Sequence, residues 1–404
     1  MSPLRAVDSA KIFVPLHHKS GGGRSNKPTP RSKQPIRMAT IDDIALSMQS
    51  HIGVRGVVHL LRTFGSAEAI YSASVDELVG RAELQESLAR EIVARKTHKA
   101  ADRELTYCAR HGIEPIASTD KEYPSLMLET DDYPHILYIK GNTEVLNSLT
   151  LSMVGTRHIS QYGVTMCERL VEGLSRRVPS LTIVSGLAFG VDVNCHRSAV
   201  RHGLPTIAVV ANTLPAVTPA QHTAFAREIV DEGGAIVTEL HSQTKQNGRF
   251  YIPRNRIIAA MSGGTVVVES GASGGSLHTA AMADGYNRVV MAVPGRVTDM
   301  SSEGCNTLIR NRKAALVTSA DDIVAEMGWD LHEAECRPSP NEPVIELSRD
   351  EAGLLSLIGD SDPVSITRLQ ELTALDSGTL ASLLLNLELA GAIRQVPGKM
   401  YLKY

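Results

Sequence analysis

The strongest constraint on this chain is an alternation that begins at residue 149 and runs to about residue 326. Seven short runs dominated by Val, Ile, Leu and Ala occupy 149–154, 182–184, 206–210, 235–238, 265–269, 289–293 and 315–317. Between them lie amphipathic stretches of helical period, such as 164–176 and 222–232. Short apolar runs without polar alternation suit strands buried on both faces, and strand–helix alternation with short connections builds a parallel sheet covered by helices on each side. The expected fold class is therefore α/β, a doubly wound, Rossmann-like sheet of six or seven strands.

Within that frame the residues between 250 and 279 concentrate most of the chemistry. Arg254, Asn255 and Arg256 place two guanidinium groups and an amide within three positions. The run Gly264-Thr265-Val266-Val267-Val268 reads as a central strand. Glu269 then opens a loop of Ser, Gly and Ala that ends in Gly274-Gly275-Ser276 and leads into a helix carrying Thr279. A small-residue loop between the carboxyl end of a strand and a helix start is where α/β proteins hold anions.

Two earlier loops have the same character. The first strand ends in Gly155-Thr156-Arg157-His158-Ile159-Ser160 and lacks the GxGxxG spacing of a dinucleotide-binding turn; it offers instead an always-charged guanidinium, Arg157. The second strand ends in Ser185-Gly186-Leu187-Ala188-Phe189-Gly190-Val191-Asp192, whose glycines can turn N–H groups toward an anion. Asp192 and His196 stand four residues apart. We expect this pair to fix the loop on its helix, since no Ser, Cys or second acid completes a nucleophilic set.

Composition narrows the function classes. Net charge is −3, so any nucleic-acid surface must be local. No apolar run approaches the roughly 18 residues of a membrane helix. The five cysteines are scattered without ligand spacing, as are the 14 histidines, which argues against a metal site and for reduced thiols in a cytoplasm. Aromatics make up only 4%, so a base-stacking platform must be small.

The flanks read as separate parts. Residues 1–37 carry eight Lys/Arg against one acid, Asp8, and are expected to be a basic flexible leader, with Met38 a possible alternative start. Residues 38–119 have helical periodicity, and Ile52-Gly53-Val54-Arg55-Gly56 resembles a helix–hairpin–helix turn. Tyr123-Pro124 and Tyr133-Pro134 mark an extended connector that opens the segment 120–330 and leads to an edge strand near Ile136. Three prolines mark 331–346 as a linker. Residues 347–404 give three helices and a hairpin, the winged-helix order. Its would-be recognition helix, SGTLASLLLNLELAG, contains no Lys or Arg, so protein contact is expected there rather than duplex reading.

Taken together, the motifs VGTRHISQYG, IVSGLAFGVDVNCH, PRNRIIAAMSGGTVVVESGASGGSLHTAAMA and VVMAVPGRVTDMSSEGCNTLIRN resemble the DprA (Smf) family, over nearly everything from residue 41 onward. The resemblance implies an extended Rossmann domain that binds single-stranded DNA, forms a homodimer and helps load RecA recombinase during natural transformation. It also implies a helical N-terminal domain similar to SAM or helix–hairpin–helix units, a C-terminal winged helix, no cofactor and no enzymatic activity. The residues then expected at DNA are the cations Arg157, Lys245, Arg249, Arg254 and Arg256 and the rings Phe250 and Tyr251. With them go Ser160, Ser185, Gly186, Gly190, Asn255, Gly274, Gly275, Ser276 and Thr279. An alternative has Arg254 or Arg256 pair with Glu269 and hold the pocket together. Two departures from the family pattern are Leu214-Pro215 where a Tyr-Pro pair is usual, and Phe250-Tyr251-Ile252-Pro253 where Phe-Pro is usual. Rival readings are a nucleotide phosphoribohydrolase, echoed only by Gly263-Gly264-Thr265 and Glu269, and a winged-helix transcription regulator.

Overall fold

The computed structural model describes residues 39–245, 247–329, 348–358, 364–373, 375–389, 392–396 and 400–403. The proposed leader at 1–37 and linker at 331–346 lie outside the described residues. The described chain falls into two compact units, one within residues 32–332 and one C-terminal to it.

The larger unit is built on a nine-stranded sheet. Its strands are β1 (Glu114–Ala117), β2 (Ile136–Gly141), β3 (Leu149–Gly155), β4 (Leu181–Ser185), β5 (Thr206–Val209), β6 (Ala235–Thr238), β7 (Gly264–Glu269), β8 (Val289–Ala292) and β9 (Ala315–Leu316). They stand in the order β1-β2-β6-β5-β4-β3-β7-β8-β9. From β6 to β9 every pairing is parallel, while β1–β2 and β2–β6 are antiparallel. All seven runs expected as strands are strands. The sheet's centre is dry: every residue of β4 and β7 is buried. Burying each valine of β7 contributes roughly 1.5–3 kcal/mol, which is why this run needs no polar alternation.

Helices cover both faces. On one, α7 (Gln161–Arg177), α8 (Val191–Arg201) and α13 (Ala320–Glu326) share a core with Leu151, Met153, Ile183, Val266 and Val268. On the other, α10 (Tyr251–Ala260), α11 (Gly275–Gly285) and α12 (Glu303–Arg310) pack against Val154, Val184, Ile207 and Val267.

The helical region comprises α1 (Ile41–Ser47), α2 (Val54–Phe64), α3 (Ala67–Ser72), α4 (Val75–Ala82), α5 (Glu86–Val93) and α6 (His98–His111). Its apolar core continues into the sheet unit through Ile136, Tyr138, Ala208 and Ile236 and through Phe225 and Ile229 of α9 (Thr223–Asp231). Two expectations need correction here. Residues 114–117, included in the helical stretch, form β1. Pro115 is accommodated because β1 is the sheet edge, where one side of the strand needs no ladder N–H. The strand after the Tyr-Pro connector, β2, is interior, flanked by β1 and β6.

In the smaller unit, α14 (Arg349–Ser356), α15 (Ile366–Thr373) and α16 (Ser377–Leu389) pack with a three-stranded sheet. That sheet is ordered β10-β12-β11, from β10 (Val364–Ser365), β11 (Ile393–Val396) and β12 (Met400–Lys403). Leu354, Leu369, Leu380, Leu384 and Ile393 form its core, giving a winged helix.

Candidate nucleic-acid interface

The parallel sheet winds outward in two directions from β3 and β7, and the crevice beyond their carboxyl ends is the usual ligand position in such sheets. Here it is an open cavity of 230 Å³. Gly155, Thr156 and Arg157 line it from the loop after β3, and Ala188 and Asp192 from the loop after β4. Tyr251, Ile252, Arg254 and Asn255 line it from the start of α10, and Gly274, Gly275, Ser276 and Thr279 from the start of α11. Three helices thus begin at one opening. Gly274, before α11, supplies no side-chain cap, which leaves the Gly275 and Ser276 N–H groups for a ligand, whereas the first turn of α8 is tied back to the Thr156 and Ala188 carbonyls. The positive ends of the helix dipoles add attraction for an anion.

The walls are held backbone to backbone. The β3–β7 register shifts after Val154, so that Gly155 stands opposite Glu269. The carbonyl of Glu269 then accepts from the Thr156 N–H at 2.7 Å, while its carboxylate Oε2 accepts from the Ser160 N–H at 2.8 Å. One buried residue therefore grips both ends of the loop that carries Arg157. On the other side, the Val191 N–H donates to the Thr156 carbonyl at 3.1 Å. Gly190 adopts φ +80°, and a Cβ there would run into that same carbonyl.

Arg157 is exposed, and its guanidinium carbon stands 4.9 Å from the centre of the Tyr251 ring. A free cation over a ring at a crevice mouth unites the two things a single-strand binder needs, a phosphate partner and a stacking face.

The neighbouring arginines behave differently. Arg254 is only 5% exposed. Its Nη1 donates to the Gly186 carbonyl at 2.8 Å and to the Val209 carbonyl, and its Nε donates to the Asn255 side chain at 3.2 Å. Burial raises the Asp192 carboxyl above its usual range, and the Arg254 charge opposes that rise. Arg256 is also buried and pairs with Glu239 across the start of the β6–α10 connection. The arginine pairing expected for Glu269 is not formed: Arg256 pairs with Glu239 instead, and Glu269 gives its Oε2 to the Ser160 N–H at the N-terminus of α7.

Several expected residues serve the walls through their side chains. The Ser185 hydroxyl is buried and donates to the Met153 carbonyl at 2.6 Å. Ser160 caps α7, its hydroxyl accepting from the Gly163 N–H at 3.1 Å. Ser276 donates to the Ser270 hydroxyl at 2.9 Å, and Thr279 is buried at the cavity floor. Gly186 packs directly against the Arg254 guanidinium. Lys245 and Arg249 are exposed on the approach to α10, and Phe250 is half-buried beneath the Arg249 guanidinium at 5.6 Å; none of the three lines the cavity.

Sequence reasoning missed Ile252, 54% exposed at the cavity rim, and the ring of Phe189, 47% exposed and edge-on to His222 at 4.9 Å. Exposed apolar groups inside a recognised motif were the available signal. Asp192 holds the loop as expected, its carboxylate accepting from the Ala188 N–H at 3.4 Å, whereas His196 is buried with Nδ1 2.6 Å from the Thr206 hydroxyl and ties α8 to the start of β5 rather than to the loop.

Comparison with known proteins finds relatives along most of the chain. The sequence profile of the family described as DNA recombination-mediator protein A matches residues 114–328, and that of the DprA winged helix domain matches residues 338–399. Protein Smf of Escherichia coli K12 is 34% identical over 306 residues, covering 74% of this chain and 80% of that protein. The putative DNA processing protein DprA of Mycobacterium tuberculosis is 32% identical over 349 residues, covering 82% and 86% respectively. Among solved structures, DNA processing protein A from Streptococcus pneumoniae superposes with a TM-score of 0.62 at 27% identity, over 72% of this chain and 98% of that one.

Proposed function

The chain belongs to the DNA recombination-mediator protein A (DprA/Smf) family, and from that premise we propose that it binds single-stranded DNA, protects it, and helps load RecA recombinase in natural transformation and recombination. The observation that carries the DNA part is the Arg157–Tyr251 pair at the mouth of a crevice surrounded by three helix starts. Backbone phosphates meet the guanidinium and the first-turn N–H groups, and an unstacked base meets the ring. Every base has a π-face, so this arrangement binds with little sequence preference.

The same reading makes the protein a binder rather than an enzyme. The acid nearest the crevice, Asp192, accepts from the Ala188 N–H at 3.4 Å beside the Arg254 charge, and His196 meets Thr206; groups engaged in this way are poorly placed to move a substrate proton. RecA as a partner, a homodimeric state and a cytoplasmic location are part of the same proposal, and the winged helix we assign to protein contact.

The test is binding of single- and double-stranded oligonucleotides across a salt series, with assembly state followed by light scattering. Single strands should be preferred, with log affinity falling linearly against log salt. Equal affinity for duplex, or single-strand affinity unchanged in an Arg157→Ala/Tyr251→Ala variant, would overturn the assignment.

A further inference from the structure

Helix α6 lies in the helical region, yet one of its faces is devoted to loops at the carboxyl edge of the sheet. Ala100, Glu104 and Tyr107 fall at i, i+4 and i+7, hence on one side of the helix. The Tyr107 hydroxyl donates to the Leu214 carbonyl, in the loop after β5, at 3.1 Å. The Ala100 carbonyl accepts from the Gln243 side chain, in the loop after β6, at 3.0 Å. Between them Glu104, only 1% exposed, gives both carboxylate oxygens to Ser242: Oε1 accepts from its N–H at 2.7 Å, with the Cys108 thiol a weaker donor at 3.9 Å, and Oε2 from its hydroxyl at 2.5 Å.

Burying a carboxylate is costly unless its hydrogen bonds are complete, so a position that only filled space would favour an apolar side chain. The segment it grips runs from β6 to α10. It is fixed first at Glu239 by Arg256 and then at Ser242 and Gln243 by α6, while within the segment the Asn247 side chain accepts from the Arg249 N–H at 3.1 Å. Lys245 and Arg249 stand exposed among these anchors, just ahead of Tyr251. Cations held on an ordered backbone bind a strand without first losing the freedom of a loose loop.

We propose that α6 braces the strand-entry side of the DNA crevice, and that Glu104 is a positioning residue for Lys245 and Arg249. The inference rests on the single-strand-binding reading and adds that the helical region acts on DNA through Ser242 without touching it.

The test measures binding of the full-length chain to a labelled oligothymidylate over a salt series. Lys245→Ala/Arg249→Ala should weaken binding about tenfold and shallow the salt slope by about 1.4, near 0.7 per lost phosphate contact. Glu104→Gln should reproduce most of that loss alone and add little in the Lys245→Ala/Arg249→Ala background. Ser242→Ala, which removes a donor without disturbing the α6 core, should give a smaller loss with the same non-additivity. Wild-type affinity in Glu104→Gln, or losses that simply add, would overturn the brace, as would full affinity in Lys245→Ala/Arg249→Ala. If the wild-type chain fails to bind the oligonucleotide, the single-strand reading itself fails; if binding falls with Arg157→Ala but not with these variants, only the brace does.

Discussion

Arg254 Nη1 lies 2.8 Å from the carbonyl oxygen of Gly186, and the same nitrogen reaches the carbonyl of Val209. One buried cation thus ties together the carboxyl ends of β4 and β5, with Asp192 as its nearby acid. Removing it leaves two buried carbonyls without their donor and takes the compensating charge away from the buried Asp192 carboxyl. Arg254→Ala should lower stability by about 3 kcal/mol or more in urea unfolding, and weaken DNA binding only as a consequence. Unchanged stability with lost DNA binding would make Arg254 a contact residue after all.

Gly190 gives a second, independent test of how the walls are joined. Its φ of +80° disfavours any side chain, and a Cβ would stand 2.7 Å from the Arg157 carbonyl carbon besides striking the Thr156 carbonyl oxygen. Gly190→Ala should force the loops after β3 and β4 apart. We expect single-strand affinity to fall at least as far as in Arg157→Ala, with Arg157 itself intact. Wild-type affinity would show that the packing of the two loops is irrelevant to binding.

The contrast between Arg254 and Arg157 shows what the sequence makes legible. The strands of the parallel sheet could be read because most of them are buried on both faces and therefore dominated by apolar residues. The three loops of the crevice could be read because glycines and small residues follow those strands. The roles of the arginines could not. Arg254, Asn255 and Arg256 are consecutive, and which of them faces the crevice depends on the phase of α10. Residues 256–261 of that helix and the turn after it are all buried, so no polar stripe marks the phase. β1 was hidden for a related reason: four residues containing a proline declare themselves a strand only once β2 is there to pair with them.

Arg157 and Tyr251 should be separable by salt. Arg157→Ala removes a phosphate contact, so affinity should fall and the slope of log affinity against log salt should shrink by about 0.7. Tyr251→Leu keeps apolar bulk but removes the stacking face, worth roughly 1–3 kcal/mol per base, and should leave the slope unchanged. Fluorescence anisotropy at four or five salt concentrations reads both quantities. A steepened or flattened slope in Tyr251→Leu would mean that the ring acts by positioning Arg157 rather than by stacking.

His196 predicts an acid sensitivity of the fold. The Thr206 hydroxyl donates to the Ile183 carbonyl at 2.7 Å, so its oxygen accepts from His196 Nδ1, which must carry the proton. Burial, reinforced by the charge of Arg254, pushes the imidazole down to about 3 from an ordinary 6.5. The folded chain therefore refuses a proton that the unfolded chain accepts below about pH 6.5. The sign follows: this histidine costs no stability above roughly pH 7.5, and stability is lost as pH falls from 6.5 toward 3, at up to about 1.4 kcal/mol per pH unit. At pH 5 the loss should be roughly 2 kcal/mol. Urea unfolding at pH 7.5 and pH 5 should show that drop in the wild-type chain and a smaller one in His196→Gln, whose side chain does not titrate. An equal drop in both would place the acid sensitivity elsewhere in the fold.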